Sequence, residues 1–115
     1  MIELTLPYPP SVNTYWRHVG ERVLISSKGR SYRLDVATSV IVSRSPRQQG
    51  RLAIEVDLYP PDKRRRDIDN TLKALLDSLQ HGGLYEDDSQ IDELCVRRHP
   101  PVDGGQCVVR VRECQ

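Results

Sequence analysis

The sequence predicts an α+β fold of the mixed α/β kind: one compact domain over residues 1–115, with a mixed sheet of about four to five strands and two main helices. Three observations lead there. Alternating apolar and polar stretches lie at both ends and in the middle of the chain, two other stretches carry apolar residues at the helical period, and strands both precede and follow those helices.

Ile2-Glu3-Leu4-Thr5-Leu6 alternates at the strand period and is stopped by prolines at 7, 9 and 10. The next segment, Pro7 to His18, mixes fixed backbone, aromatics and hydrogen-bonding side chains, and reads as a working surface. Arg22 to Ile25 predicts a short strand. Ser26 or Ser27 is a fitting N-cap for a helix over about residues 28–44, where Tyr32, Val36 and Val40 recur at helical spacing. Pro46 through Gly50 breaks the chain, after which Leu52, Ile54, Val56 and Leu58 alternate with Ala53, Glu55, Asp57 and Tyr59, a strand closed by Pro60-Pro61. Ile68, Leu72, Leu75, Leu76 and Leu79 make one apolar stripe of a helix over about residues 68–81, ended by Gly82-Gly83. Ile91 to Arg98 and Gln106 to Glu113 predict two last strands, separated by Pro100-Pro101 and an Asp103-Gly104-Gly105 turn.

Composition narrows the function classes. With 37% hydrophobic residues, one Trp and no Phe, packing rests on Leu, Ile and Val, and a small core of that kind gains from subunit association, so size alone is compatible with a dimer. Cys95, Cys107 and Cys114 have no CxxC spacing and no nearby histidine pair, which argues against zinc; their odd number fits a reducing compartment. No signal-like start and no run of about 20 apolar residues is present, so a cytoplasmic protein with no membrane partner is expected. The net charge of +1 is uninformative, but its distribution is not. Lys63-Arg64-Arg65-Arg66 and Arg97-Arg98-His99 are basic, while Asp67, Asp69, Asp77, Glu86, Asp87, Asp88, Asp92 and Glu93 crowd the stretch between them.

Asp67 and Asp69 cannot face one point from within a regular helix, because residues two apart lie about 200° around it. If Asp67 sits in the lead-in and Asp69 in the first turn, both carboxylates can turn toward a shared cation, with Lys73 on the face of Asp69. Hard oxygen ligands beside an ammonium suit Mg²⁺, or Mn²⁺ as a substitute, bound jointly with a substrate phosphate. The competing reading is that Asp67 caps the helix and Asp69 pairs with Lys73 at i,i+4. That reading leaves Lys63 to Arg66 unexplained, since four cations before a helix start oppose its dipole. A phosphate partner accounts for both signs. Asp88, in the loop after the helix, would complete a three-carboxylate site if the strands over 51–59 and 91–98 flank the helix start; alone, Glu86-Asp87-Asp88 reads as a solvated turn. Tyr8, Tyr15 and Trp16 either stack on bases or pack their loop, packing being the commoner use beside prolines, and His18 has no evident partner.

Pro9-Pro10-Ser11-Val12-Asn13, Arg65-Arg66-Asp67-Ile68-Asp69-Asn70, Lys73 and Asp87-Asp88-Ser89-Gln90, in this order over nearly the whole chain, resemble the RusA family of Holliday junction resolvases. The resemblance implies a homodimeric, Mg²⁺-dependent endodeoxyribonuclease of DNA recombination and repair that nicks opposed strands of a four-way junction. It places metal ligands at Asp67, Asp69 and Asp88, a catalytic lysine at Lys73, one DNA-contacting loop at Ser11, Val12, Asn13 and Thr14, and a second DNA-contacting region over Lys63, Arg64, Arg65, Arg66 and Asn70. Branched DNA is the implied partner, with no small-molecule cofactor. Two departures stand out: Val12 where a polar residue is common, and Thr71 where Leu is expected. Two other readings remain: a branched-DNA-binding module without catalysis, and a metal nuclease for flaps or single strands.

Overall fold

The computed structural model describes residues 1–114. The elements run β1 (Ile2–Leu6), α1 (Val12–Tyr15), β2 (Trp16–Val19), β3 (Arg22–Ile25), α2 (Ser27–Val42), β4 (Leu52–Tyr59), α3 (Leu72–His81), β5 (Ile91–Arg98) and β6 (Gln106–Glu113), with short 3-10 turns at Ile68–Thr71 and Asp88–Gln90. The α+β class therefore holds. The main sheet has four strands in the order β1-β6-β4-β5, and β2 pairs with β3 in a separate hairpin.

Alternation sets which face of the sheet is covered. Leu52, Ile54, Val56 and Leu58 of β4 stand beside Val111, Val109 and Cys107 of β6, which stand beside Leu4 and Leu6 of β1. These side chains meet Tyr32, Val36 and Val40 of α2 and Leu75 and Leu79 of α3 in one core cluster. Each fully buried aliphatic side chain there is worth roughly 1.5–3 kcal/mol relative to exposure. β4 and β5 run parallel, so the chain must return between them, and α3 makes that crossover.

One helix starts where the sequence placed it and the other starts later. α2 begins at Ser27, capped by Ser26, whose hydroxyl accepts from the Gly29 N–H at 3.0 Å, and it ends at Val42. The expected helix over 68–81 is α-helical only from Leu72; Ile68–Thr71 form a 3-10 turn, in keeping with the weak helix propensity of Asp69, Asn70 and Thr71. Gly29 lets α2 approach α1 closely: a Cβ there would lie 2.5 Å from the Tyr15 carbonyl oxygen. Among the described residues, no helix is long and apolar enough to cross a membrane.

Candidate functional site

The acidic turn follows from what β4 leads into. After Pro60-Pro61 the basic segment runs to Asp67, whose backbone is extended (φ −78°, ψ 138°) at the N-cap of the 3-10 turn. Asp67 thus lies outside the helix and Asp69 in the first turn, the placement that two carboxylates two residues apart require. Both are exposed, as is Lys73 in the first turn of α3. The structural uses open to these groups are not taken up. Asp67 makes no side-chain cap hydrogen bond, and no ion pair joins Asp69 to Lys73 among the described residues.

Within the basic segment Arg66 folds back onto its own loop, while Lys63, Arg64 and Arg65 are exposed. Nη1 of Arg66 lies 2.8 Å from Oδ1 of Asp62 and donates to the carbonyls of Asp62 and Arg64. This guanidinium, with the Arg64 backbone N–H, holds the Asp62 carboxyl below its ordinary pKa range. Nη1 of Arg98, at the far end of β5, donates to the Arg66 carbonyl at 2.7 Å. The result is a cleft of about 270 Å³ lined by Pro60, Asp62, Lys63, Arg64, Arg65, Arg66, Arg98, His99 and Pro101. Its cations outnumber its single carboxylate, the electrostatic profile of a phosphate track.

The Ser11–Thr14 segment is α1 with its cap. Ser11 Oγ accepts from the Thr14 N–H at 3.3 Å and lies 2.9 Å from Thr14 Oγ1, so these hydroxyls shape the loop, while Asn13 and Thr14 remain exposed and Val12 is half-buried. Tyr15 is fully buried, hydrogen-bonded to Asp77 and edge-on to Trp16 at 5.0 Å between centroids; it packs the loop and is not a stacking platform. Tyr8 is different. Half-buried, with Arg66 Cζ 5.9 Å above its ring, it lines a second cleft of about 220 Å³ with Pro9, Ser11, Arg66, Asp67, Asn70 and Thr71. The two segments expected to contact DNA therefore meet in one place.

Asp88 does not join them. The acidic turn follows the C-terminal end of β4, whereas Asp88 precedes the N-terminal end of the parallel strand β5. Arg51, just before β4, donates from Nη2 to the Ser89 carbonyl at 2.7 Å, and the Asp88 N–H donates to Gln80 near the end of α3. One strand length, about 23 Å, separates the two ends. The strands over 51–59 and 91–98 are neighbours, but their parallel direction sends Asp88 away from the helix start. Accordingly, among the described residues no three His, Cys, Asp or Glu side chains are grouped to hold a metal ion. The oxygen donors suit Mg²⁺ chemically, but one chain does not assemble the full set. Asp87, beside Asp88, is a cap: its carboxylate accepts from the Ser89 N–H at 2.9 Å in a reciprocal capping box with Gln90.

Sequence reasoning passed over Asp57. Alternation put it on the polar face of β4, yet it is buried, because Arg110 donates to Oδ2 at 2.6 Å and His99 Nε2 lies 2.8 Å from Oδ1. Those two bonds hold its carboxyl below its ordinary pKa. Tyr59 stacks on the His99 ring at 4.7 Å, so this network fixes one wall of the basic cleft. A charged residue in mid-strand, with arginine at the paired strand's outward positions, was the available signal.

The family model described as Endodeoxyribonuclease RusA matches residues 7–112. The chain belongs to the RusA family. Among RusA relatives, the crossover junction endodeoxyribonuclease of Enterobacteria phage HK97 is 46% identical over 119 residues, covering 98% of this chain and 95% of that protein. Those of Enterobacteria phage 82 and Escherichia coli (strain K12) are 38% and 36% identical, each covering 96% of this chain and 92% of its own length. The two departures from the expected RusA pattern fall in different settings. Val12 is half-buried on α1, and Thr71 is buried at the floor of the acidic turn, 4% exposed.

Proposed function

We propose that this protein is a crossover junction endodeoxyribonuclease, resolving four-way DNA junctions by paired nicks as a homodimer with a divalent metal ion. One observation carries the reading: Asp67 and Asp69 stand exposed, without the cap bond or the ion pair that would explain them structurally, beside a cleft of cations. Membership of a family whose relatives are named crossover junction endodeoxyribonucleases supports the substrate class.

Lys63, Arg64 and Arg65 would neutralise phosphates of the bound strand, independently of sequence. Lys73, one turn beyond Asp69, would hold its ammonium against the phosphoryl oxygens as negative charge builds on them. Asp67 and Asp69 would hold Mg²⁺, which supplies neutralisation of the departing oxygen and a more acidic attacking water. The third carboxylate, Asp88, lies at the opposite end of the sheet in its own chain. A two-fold dimer that sets the Asp88 end of one chain against the acidic turn of the other would supply it, giving two equivalent sites for the two opposed strands of a junction.

Purified protein with Mg²⁺ and matched four-way junction, flap and duplex substrates tests this. Paired nicks confined to the junction are expected. Binding without metal-dependent cleavage would support a non-catalytic module, and preferential flap cleavage a different nuclease.

A further inference from the structure

We propose that the β2–β3 hairpin is a wedge that enters the branch point of the DNA and holds its base pairs apart, with Val19 and Val23 as the two faces of its tip. The inference rests on the nuclease reading for its substrate and on this structure for the wedge. The hairpin stands apart from the main sheet, and its residues from Arg17 to Val23 are all exposed. Gly20, with φ +61°, makes the two-residue turn with Glu21. Paired residues share a face and faces alternate along each strand, so the register puts His18 and Val23 on one side and Val19 and Arg22 on the other. The tip therefore shows an apolar side chain on each face: Val19 is 46% and Val23 54% exposed. Strand formation does not call for valine at both places, since threonine has the same branched shape and β preference with a hydroxyl for water. A single wet valine is ordinary; one on each face of the same tip is what a body inserted between two stacked surfaces needs.

What surrounds the tip selects DNA over a second copy of the chain. Arg17 and Arg22 share the face of Val19, His18 that of Val23, and Glu21 is the one carboxylate of the hairpin. An apolar point set among cations matches base faces bordered by phosphates. The root of the hairpin is continuous with the loop expected to contact DNA, since α1 runs from its cap at Ser11 straight into β2 at Trp16. That root is fixed: Ser26, directly after β3, donates from its N–H to the Tyr15 carbonyl at 2.9 Å and from its hydroxyl to the Thr14 carbonyl at 2.6 Å, and Tyr15 is fully buried. Strands of this length reach about 13 Å from the root, beyond the roughly 8.5 Å depth of a major groove, so the tip arrives at base pairs when the loop holds their backbone. Parting stacked pairs costs free energy, and least where stacking is already interrupted, as at a branch. The wedge thus confers a preference for branched over continuous DNA, which neutralising phosphates does not supply.

The test compares wild type with a double variant carrying Val19→Thr and Val23→Thr, which keeps shape and strand preference, and with one carrying Val19→Leu and Val23→Leu, which keeps the tip apolar. The probes are a four-way junction with 2-aminopurine in a base pair at the branch and a linear duplex of the same arm sequence, both bound in Ca²⁺. Wild type should raise 2-aminopurine fluorescence in the junction, because unstacking relieves its quenching, and the leucine variant should do the same. The threonine variant should lose that rise and bind the junction about tenfold less tightly. Its affinity for the duplex, its melting temperature and its mass in solution should stay those of wild type. An unchanged fluorescence rise in the threonine variant, or a loss of affinity shared equally by the duplex, overturns the proposal. So does a fall in its solution mass, which would make the tip a contact between copies. If wild type cuts junctions with no valine effect, the wedge falls and the nuclease reading stands. If wild type cuts no DNA in Mg²⁺ while the fluorescence rise still depends on the valines, the nuclease reading falls and the wedge stands.

Discussion

Nη2 of Arg33 on α2 and Oδ2 of Asp77 on α3 lie 2.7 Å apart, and the Tyr15 hydroxyl of α1 also bonds that carboxylate. One half-buried carboxylate thus ties the Ser11–Thr14 loop to the helix that carries Lys73. Burial raises the Asp77 pKa, but the bonds from Tyr15 and Arg33 and the charges of Arg33 and Lys73 outweigh it, leaving the pKa below its ordinary value.

Because the folded-state pKa of Asp77 is depressed, its contribution to stability is present above the unfolded carboxylate pKa of about 4. It is lost as pH falls through the folded value. Asp77→Asn should therefore cost about 2 kcal/mol at pH 7, where Arg33 loses its counter-charge, and distinctly less at pH 3. Urea unfolding at the two pH values reads this; an equal loss at both would remove the charge from the account.

Gly29→Ala should destabilise by about 1–3 kcal/mol, lowering the melting temperature by several degrees. The added Cβ meets the Tyr15 carbonyl oxygen at 2.5 Å and Ile25 Cγ1 at 2.7 Å. That carbonyl cannot withdraw freely, since it accepts from the Ser26 N–H at 2.9 Å and from Ser26 Oγ at 3.0 Å. Calorimetric melting decides it, and an unchanged transition would show that α2 slides without penalty.

These contacts mark where the sequence stops being legible. The alternation in Leu52–Tyr59 and the stripe through Leu72, Leu75 and Leu79 are local patterns, and the structure keeps both. Asp67 lies outside the helix, the position that spacing required of it if it and Asp69 are to share one cation. Tyr15 reads as a loop aromatic because its partner, Asp77, is 62 residues away. α2 shows weak periodicity because Leu34, Ile41 and Val42 are apolar yet exposed. The position of Asp88 depends on whether β5 lies parallel or antiparallel to β4, a choice set by the α3 crossover that no local residue pattern encodes.

The basic cleft predicts a salt effect separable from catalysis. Arg64 and Arg65 are exposed; Arg64 Nη2 lies 3.6 Å from Asp62 Oδ2, a looser contact than the one by which Asp62 and the carbonyls of the loop hold Arg66. Replacing Arg64 or Arg65 with Ala should weaken junction binding alike for all arm sequences and reduce the slope of log K against log salt by about one unit for each phosphate left without its cation. Arg66→Ala should in addition lower stability, because it releases Asp62 and uncovers the Tyr8 ring. A slope unchanged in both Arg64→Ala and Arg65→Ala would place the phosphate track elsewhere.

The separation of Asp88 from Asp67 and Asp69 makes the proposed dimer testable by complementation. Asp69→Asn alone should abolish cleavage while leaving junction binding largely intact, and so should Asp88→Asn, because each removes a proposed metal ligand. Mixing the two variants separates the arrangements. If each site drew all its carboxylates from one chain, a mixed dimer would carry a defect in both sites and stay inactive. If Asp88 of one chain completes the site of the other, the mixed dimer has one site with both defects and one with neither. Co-refolded Asp69→Asn and Asp88→Asn chains should then nick a single strand of the junction in Mg²⁺, with up to half the dimers active, and chelation by EDTA should abolish the nicking. Inactivity of a mixture shown by mass to contain mixed dimers would return Asp88 to its own chain.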